Sequence, residues 1–455
     1  MAKDELNLIE DRVGKRARVR AREKGILVGV DLPRMDEEEL WSTEESMKEL
    51  ESLADTAGVR IQKKVIQSRK KPDPSLYIGS GKAEEIREMA RKLGVQVIIF
   101  NDELRPAQSR NLEEKLATKI VDRTQLIMDI FAQRAQTKEA KLQVELAQYE
   151  YLLPRLRGWG ESLERQEGGI GTRGPGQTRL ARDREKVQRR IDSIKAKLKE
   201  ADKELDVRSK RRLESNTPII ALIGYTNSGK TTLLNRLTGS EGFEEDKLFA
   251  TLDPLTRKFE LPDRRTVLLT DTVGLIRKLP HQLIPAFRST LKSARTADLL
   301  VNMMDATQDK LRSRWQTVNK IINEEIFEED EDRPPMINVL NKIDLLEDGR
   351  KLEKEKNEID NSIAVSARAG KNLDRLKEFI AEKLGDEIKR VSLNLPYSKA
   401  DLLDWFHQNG EVIREEYGDD DILIEGKLEL HLLAELKTEL QDGELEELEG
   451  ETRLK

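Results

Sequence analysis

The 455-residue chain has no cysteine and only three histidines, His281, His407 and His431, which stand far apart. Disulfides and thiolate metal sites are thereby excluded, and an imidazole zinc site lacks ligands. Aromatic residues are scarce, at 4%, whereas charged residues reach 37%. With apolar periodicity as clear as it is here, that balance predicts long solvated helices rather than disorder. No run of about 18 apolar residues is present to span a bilayer, and the opening MAKDELNLIEDRVGKRARVR has no apolar signal core. The expected location is the cytoplasm, with room for some peripheral membrane association, and a monomer is expected.

The net charge of −6 hides a strong asymmetry. Between Arg173 and Lys199 ten basic residues face three acidic ones, while from Glu411 to Lys455 five basic residues face sixteen acidic ones. A basic stripe beside glycines is a candidate footprint for a phosphate backbone, and the acidic tail should repel nucleic acid. The alternative for both is a solvated helix face.

A chain of this length divides into three or four domains. From Lys24 to Phe100 short apolar runs (GILVGVDL, VRIQKKVIQ, VQVIIF) alternate with amphipathic helices near Ser46 to Ala57 and Ala83 to Leu93, which predicts a small α/β domain. GSGKAEEI at Gly79 to Ile86 is not a phosphate loop, because Leu76 and Ala83 stand where glycine and a hydroxyl residue are required. Pro106 to Leu156 keeps mostly helical periodicity, and a second charged helix is predicted from Arg179 to Leu213. The two form an antiparallel hairpin whose tip holds six glycines between Gly158 and Gly174.

TPIIALIGYTNSGKTTLLNRLTG reads as apolar strand, glycine loop and helix, the context a phosphate-binding loop demands. Gly224, Tyr225, Thr226, Asn227, Ser228, Gly229, Lys230, Thr231 and Thr232 line it. Lys230 is expected to reach the β- and γ-phosphates, and Thr231 to hold Mg²⁺. VLLTDTVG supplies Asp271 on the metal side, then Thr272, Val273 and Gly274, whose backbone N–H can sense the γ-phosphate. Between them, FATLDPLTR brings Phe249, Ala250, Thr251, Leu252 and Asp253 to the nucleotide; Thr251 is the candidate second metal hydroxyl, with Thr256 as the alternative. Lys230, Thr251, Asp271 and Gly274 are the candidate catalytic set.

Base choice falls to INVLNKID, where Asn341, Lys342 and Asp344 follow a buried strand. The Asp344 carboxylate can accept from guanine N1–H and the N2 amine, and adenine leaves it unpaired, a rejection that can reach ~10⁴-fold. Ser366, Ala367 and Arg368 of IAVSARAG place a backbone N–H at the guanine O6. GTP, with GDP as product, is therefore the expected nucleotide. Leu275 follows DTVG where many GTPases carry a water-orienting glutamine, so hydrolysis should be slow alone and depend on something supplied elsewhere. One candidate is K⁺ held by Asn227, whose alternative role is to shape the loop; another is a large partner.

These readings give an α/β chain with four parts. An N-terminal α/β domain covers 1–105, a helical hairpin with a Gly/Arg-rich tip 106–215, a P-loop GTPase domain 216–388 and a small acidic C-terminal α/β module 389–455. The GTPase domain should be a mixed sheet with helices on both faces.

The sequence resembles the HflX family of ribosome-associated GTPases, in the Obg–HflX group. GYTNSGKTTLLNRLTG, LFATLDPLTR and DTVGLIRKLP carry the likeness, with DRTQLIMDIFAQRAQTKEAKLQVELAQYEYLLPRL and GGIGTRGPGQTRLARDR upstream, over roughly Gly25 to Leu384. Gln177 and Ala181 depart from the family pattern, which has glutamates at both positions. The resemblance implies binding to the large ribosomal subunit and its rRNA, with the hairpin tip directed at the peptidyl transferase centre. It also implies splitting of stalled ribosomes under stress. Arg173, Arg179, Arg182 and Arg184 are the candidate RNA contacts. A subunit-assembly GTPase, or an RNA clamp in which hydrolysis is incidental, are the alternatives.

Overall fold

The structure, a computed structural model, describes residues 23–33, 42–164, 175–213, 217–240, 248–249, 254–276, 294–308, 310–323, 333–346, 358–385, 388–418, 421–429 and 445–447, with 327, 352–353, 356, 432–433, 436–437 and 440. In the two longest helices, side chains are described as far as Leu156 and again from Arg182 to Ala201.

Apolar runs bounded by glycine and polar turns form β1 (Lys24–Asp31), β2 (Arg60–Ser68), β3 (Val97–Phe100) and β4 (Lys119–Asp122). They make one parallel sheet in the order β2-β1-β3-β4. Helix α1 (Thr43–Thr56) starts at a capping box between Ser42 and Glu45, and α2 (Ser80–Leu93) stops at Gly94 in the left-handed region. Helices α3 (Pro106–Leu116) and α4 (Arg123–Arg134) complete this domain. One sheet face packs on α2 and α3 through Ile86, Ala90, Leu112 and Leu116, the other on α1 and α4 through Met47, Leu50, Ile127 and Phe131.

The fourth strand corrects the reading of Pro106 to Leu156 as hairpin. KIVD is a four-residue apolar run whose flanks have helical periodicity, and parallel pairing with β3 makes it a strand. The helical hairpin therefore begins with α5 (Lys138–Glu164) and returns as α6 (Pro175–Leu213). Leu142, Leu146 and Tyr149 meet Val187, Ile191 and Ile194 across it. Arg190 forks onto Glu145 at 2.6 and 2.7 Å, and Lys195 meets Glu150 at 2.8 Å.

A buried polar clamp fixes the middle of α5 to the first domain. Asp122, at the end of β4, accepts from Tyr151 Oη at 2.8 Å, Arg155 Nη2 at 3.3 Å and the Leu104 N–H at 3.1 Å. Arg155 also donates to the Leu104 carbonyl at 2.8 Å and lies over the Tyr151 ring. Burial pushes the Asp122 carboxyl above its usual range, and Arg155 opposes that most strongly.

The third unit is a mixed sheet of β5 (Ile219–Gly224), β6 (Leu255–Glu260), β7 (Thr266–Asp271), β8 (Leu299–Asp305), β9 (Met336–Asn341) and β10 (Ser362–Ala364). The order is β10-β9-β8-β5-β7-β6, with β6 antiparallel. Helices α7 (Lys230–Thr238) and α9 (Leu373–Leu384) cover one face through Leu233, Leu234, Leu376 and Ile380. The other face, with α8 (Leu311–Ile321), runs into the core of the first domain: Ala221, Ile223, Val273 and Val318 share a cluster with Leu53, Ile130 and Phe131. Arg265, in the β6–β7 turn, pairs with Asp263 and donates to the Gly385 carbonyl and, at 2.9 Å, to that of Ala381, capping α9.

The last unit is an antiparallel sheet, β12 (Glu411–Tyr417), β13 (Asp421–Glu429), β11 (Ile388–Pro396) and β14 (Leu445–Glu447), in that order. Helix α10 (Ala400–Asn409) seats Phe406 where a Cβ on Gly426 would come within 2.6 Å of its ring.

Cutting the clamp should loosen the hairpin from the first domain. Arg155→Ala leaves a buried carboxylate without its cation and is expected to cost about 3 kcal/mol, and Tyr151→Phe about 1 kcal/mol. Urea unfolding of the two variants against the parent chain checks both values.

Candidate functional site

Four strands of the mixed sheet, β5, β7, β9 and β10, end in the four motifs, so their loops converge at the carboxyl end of the sheet where α/β proteins bind ligands. Backbone geometry at the P-loop leaves little choice of residue. Gly224 has φ +135°, and a Cβ there would lie 2.2 Å from the Met303 carbonyl oxygen. Gly229 has φ +95°, and its Cβ would lie 2.2 Å from Asn341 Nδ2. Glycine is required at both positions by conformation and by space.

Asn341 ties the motifs to one another. Its Nδ2 donates to the Ser228 carbonyl at 2.9 Å, and its Oδ1 accepts from the Ala367 N–H at 2.9 Å. One buried carboxamide thus holds the phosphate loop and the base loop in register. Ser366 Oγ donates to Asp344 Oδ1, and this bond holds the Asp344 carboxyl below its usual range. Asp344 is accordingly a fixed, ionised acceptor at neutral pH, suited to two adjacent donors on a guanine edge. Lys342, at φ +68°, pairs with Asp305 at 2.9 Å, while Arg368 is exposed.

At the phosphate end Lys230 is buried and donates to the Tyr225 carbonyl at 2.9 Å and the Gly224 carbonyl at 3.2 Å. Burial pulls its ammonium down to about 8, against the opposing pull of the Asp271 carboxylate. Thr231 Oγ1 donates to Asp271 Oδ2 at 2.7 Å, and Thr272 Oγ1 to the Leu222 carbonyl at 2.6 Å. A hydroxyl and a carboxylate are hard oxygen donors of the kind Mg²⁺ takes. Among the described residues no group of three His, Asp or Glu forms a metal site, so a divalent ion here would need further ligands from phosphate, water or another loop. Thr232 is half-buried on α7, and Asn227 is exposed at φ +60°.

Gly274 packs so tightly that a Cβ would approach Thr226 Cα to 2.7 Å. The next residue zips onto the P-loop: Leu275 N–H donates to the Gly224 carbonyl and Thr226 N–H to the Leu275 carbonyl, both at 2.9 Å. The Val273 and Leu275 side chains are buried in the cluster shared with the first domain. Phe249, expected at the nucleotide, directs its side chain to the domain contact. Its ring packs edge-on against Phe131 with centroids 4.6 Å apart, and its backbone is held at φ +56°. Beside it, the Leu248 N–H donates to Thr56 Oγ1 at 3.2 Å. The Phe249 side chain belongs to the domain interface because apolar burial there outweighs any contact with a polar ligand.

Ala250, Thr251, Leu252, Asp253 and Arg173 lie outside the described residues, and Arg179 is described only as backbone in α6. Thr256, the alternative metal hydroxyl, sits in β6 and shares a hydrogen bond with Thr270 Oγ1 at 3.0 Å. Arg182 and Arg184 are exposed on α6. Sequence reasoning missed Phe131, Thr56 and the interface cation Arg314, which lies 3.9 Å from Glu45. Their partners are remote in sequence, so no local pattern points to them.

Glycine loop, lysine, metal-side hydroxyl and carboxylate, and a base-reading aspartate in these positions define a P-loop guanine-nucleotide-binding protein. Family models agree along the chain: "GTP-binding GTPase N-terminal" over 44–132, "GTP-binding GTPase Middle Region" over 134–212, "50S ribosome-binding GTPase" over 219–342 and "HflX C-terminal domain" over 351–450. GTPase HflX of Caldanaerobacter subterraneus is 44% identical over 418 residues, covering 92% of this chain and 94% of that one. GTPase HflX of Escherichia coli is 41% identical over 379 residues, covering 83% and 88%. A GTP-binding protein from Sulfolobus solfataricus, solved with GDP, is similar at 27% identity and TM-score 0.43, covering 79% of this chain and 98% of that one. The chain belongs to the HflX GTPase family; it binds guanine nucleotide and hydrolyses GTP.

Two outcomes test the site. Asp344→Asn should weaken GTP at least 100-fold while improving xanthosine triphosphate, whose C2 carbonyl can accept from the new amide; competition binding measures both. Nucleotide phosphates recharge Lys230, so GDP affinity should fall about fourfold from pH 7 to 8.5, as calorimetry at constant ionic strength would show. The unbound protein should respond in the opposite sense. With the folded pKa below the free value, this group's destabilising effect is full below about 8 and relaxes as pH rises above it.

Proposed function

We propose that this GTPase is Mg²⁺-dependent, acts in the cytoplasm on the large ribosomal subunit, and separates stalled or idle ribosomes under stress. The observation that carries the reading is the burial of Phe249 and Leu275 against the domain that bears the hairpin. Both flank the nucleotide loops, so a partner that grips the hairpin and moves this domain acts on the loops directly. The family model over 219–342, described as a 50S ribosome-binding GTPase, supports that choice of partner, as does the exposed basic face of α6 with Arg182 and Arg184.

In this mechanism Lys230 holds the β- and γ-phosphates, Asp344 selects guanine and the Gly274 N–H registers the γ-phosphate. Thr231 and Asp271 would hold Mg²⁺, with Thr251 as the further hydroxyl; bound there, the ion neutralises charge that develops on the phosphates. The Leu275 side chain can neither donate nor accept a hydrogen bond, so the attacking water is oriented by a group that docking brings into place. K⁺ held at Asn227 is a second candidate for what the Leu275 position does not supply. Turnover in KCl that exceeds turnover in NaCl at equal ionic strength would support it, and equal rates would remove it.

Stalled ribosomes should stimulate turnover more than immature subunits do; the reverse order would favour an assembly role. Replacing Arg173, Arg179, Arg182 and Arg184 by alanine should weaken large-subunit binding at least tenfold in co-sedimentation and flatten its salt dependence. Unchanged binding would remove the hairpin from the interface.

A further inference from the structure

The first domain carries a charged edge that neither the nucleotide site nor the hairpin uses. Its α1/α4 face is covered by the mixed sheet, and α5 lies along α3 and α4, next to β4. Strand β2 is the opposite edge, and its outer side has no backbone partner among the described residues. From Arg60 to Lys71, RIQKKVIQSRKK holds six cations and no anion. Arg60, Lys63, Lys64, Lys70 and Lys71 are all exposed. Lys64 pairs with Glu51 and Arg69 lies 3.9 Å from Asp73. Arg60, Lys63, Lys70 and Lys71 form no ion pair among the described residues.

We propose that this edge and the loop after it are a second RNA-backbone surface, distinct from the hairpin, that takes a phosphodiester strand. The proposal rests on the ribosomal reading above. A nine-residue strand extends roughly 30 Å, long enough to follow several phosphates. It offers two kinds of donor to phosphate oxygens, lysine ammoniums and the unpaired N–H groups of a free strand edge. An anionic membrane is a poorer fit, because Ile66 is the one exposed large apolar side chain of β2 and lipid surfaces need apolar insertion as well as charge. Lysines also guard sheet edges against self-association, but that role needs charge only on the strand, whereas Lys70 and Lys71 stand beyond it. With the hairpin rooted at β4 and this surface at β2, the domain would grip RNA from both ends of its sheet. Two linked contacts bind more tightly than either alone.

The test uses the full chain with Lys63, Lys64, Lys70 and Lys71 changed to glutamine, and a second variant with the same four changed to arginine. Co-sedimentation with purified large subunits is measured at several salt concentrations. Wild-type and arginine forms should bind alike; the glutamine form should bind at least tenfold more weakly. The slope of log K against log salt should shrink by about 3, as expected for four lost phosphate contacts. GTP turnover without ribosomes should not change. Glutamine and wild-type curves that superimpose would overturn the proposal, as would a glutamine form that self-associates yet binds RNA normally. Loss confined to phosphatidylserine vesicles would also overturn it, in favour of a membrane surface. Wild-type protein that fails to sediment with subunits would sink the ribosomal reading itself, which separates the two failures.

Discussion

Burial of one sheet face by two domains at once is the constraint on which this molecule depends. Ala221, Ile223 and Val273 of the nucleotide-binding sheet and Leu53, Ile130 and Phe131 of the first domain form one continuous apolar layer. Neither domain could expose its share to water without losing on the order of 2 kcal/mol for each large side chain. Phe249 pays into the same layer from a left-handed backbone, a conformation that costs a phenylalanine roughly 1–2 kcal/mol. Burial of its ring on Phe131 offsets that cost.

The nucleotide site itself is built the other way, from positions that cannot adapt. Gly224, Gly229 and Gly274 leave no room for a methyl group, and Asn341 spans two loops with both ends of its amide. Such a site presents its donors in fixed places and spends little free energy on reorganisation when ligand arrives. Rigid loops for phosphate and base therefore stand beside flanking segments committed to a domain contact. The tight glycine loops and the domain contact thus fall to different parts of the chain.

How much of this could be read in the sequence follows from the same division. Chemistry that needs a fixed residue at a fixed spacing was legible: Lys230, Thr231, Asp271, Asn341 and Asp344 follow their strands as expected. The α/β class and the hairpin were legible too, since both rest on periodicity. Strand β4 was not, because the four residues of KIVD are too few to separate strand from helix periodicity and sit between two helices. The place of the Phe249 side chain was not legible, for a different reason. It lies in a motif defined by the nucleotide, yet its partner Phe131 is 118 positions away and in another domain. The Asp122, Tyr151 and Arg155 clamp is likewise a product of tertiary approach, invisible until β4 is placed.

Arg265 has a bearing on where the polypeptide can be divided. Its guanidinium leans on the carbonyls of Ala381 and Gly385, the last groups before the acidic module begins. A chain trimmed near Leu384 would put a terminal carboxylate beside that cation and discard one of its acceptors. A cut there, a few residues short of the boundary at 388, is thus a poor one, and the fragment so made would carry an artificial ion pair beside the β6–β7 turn.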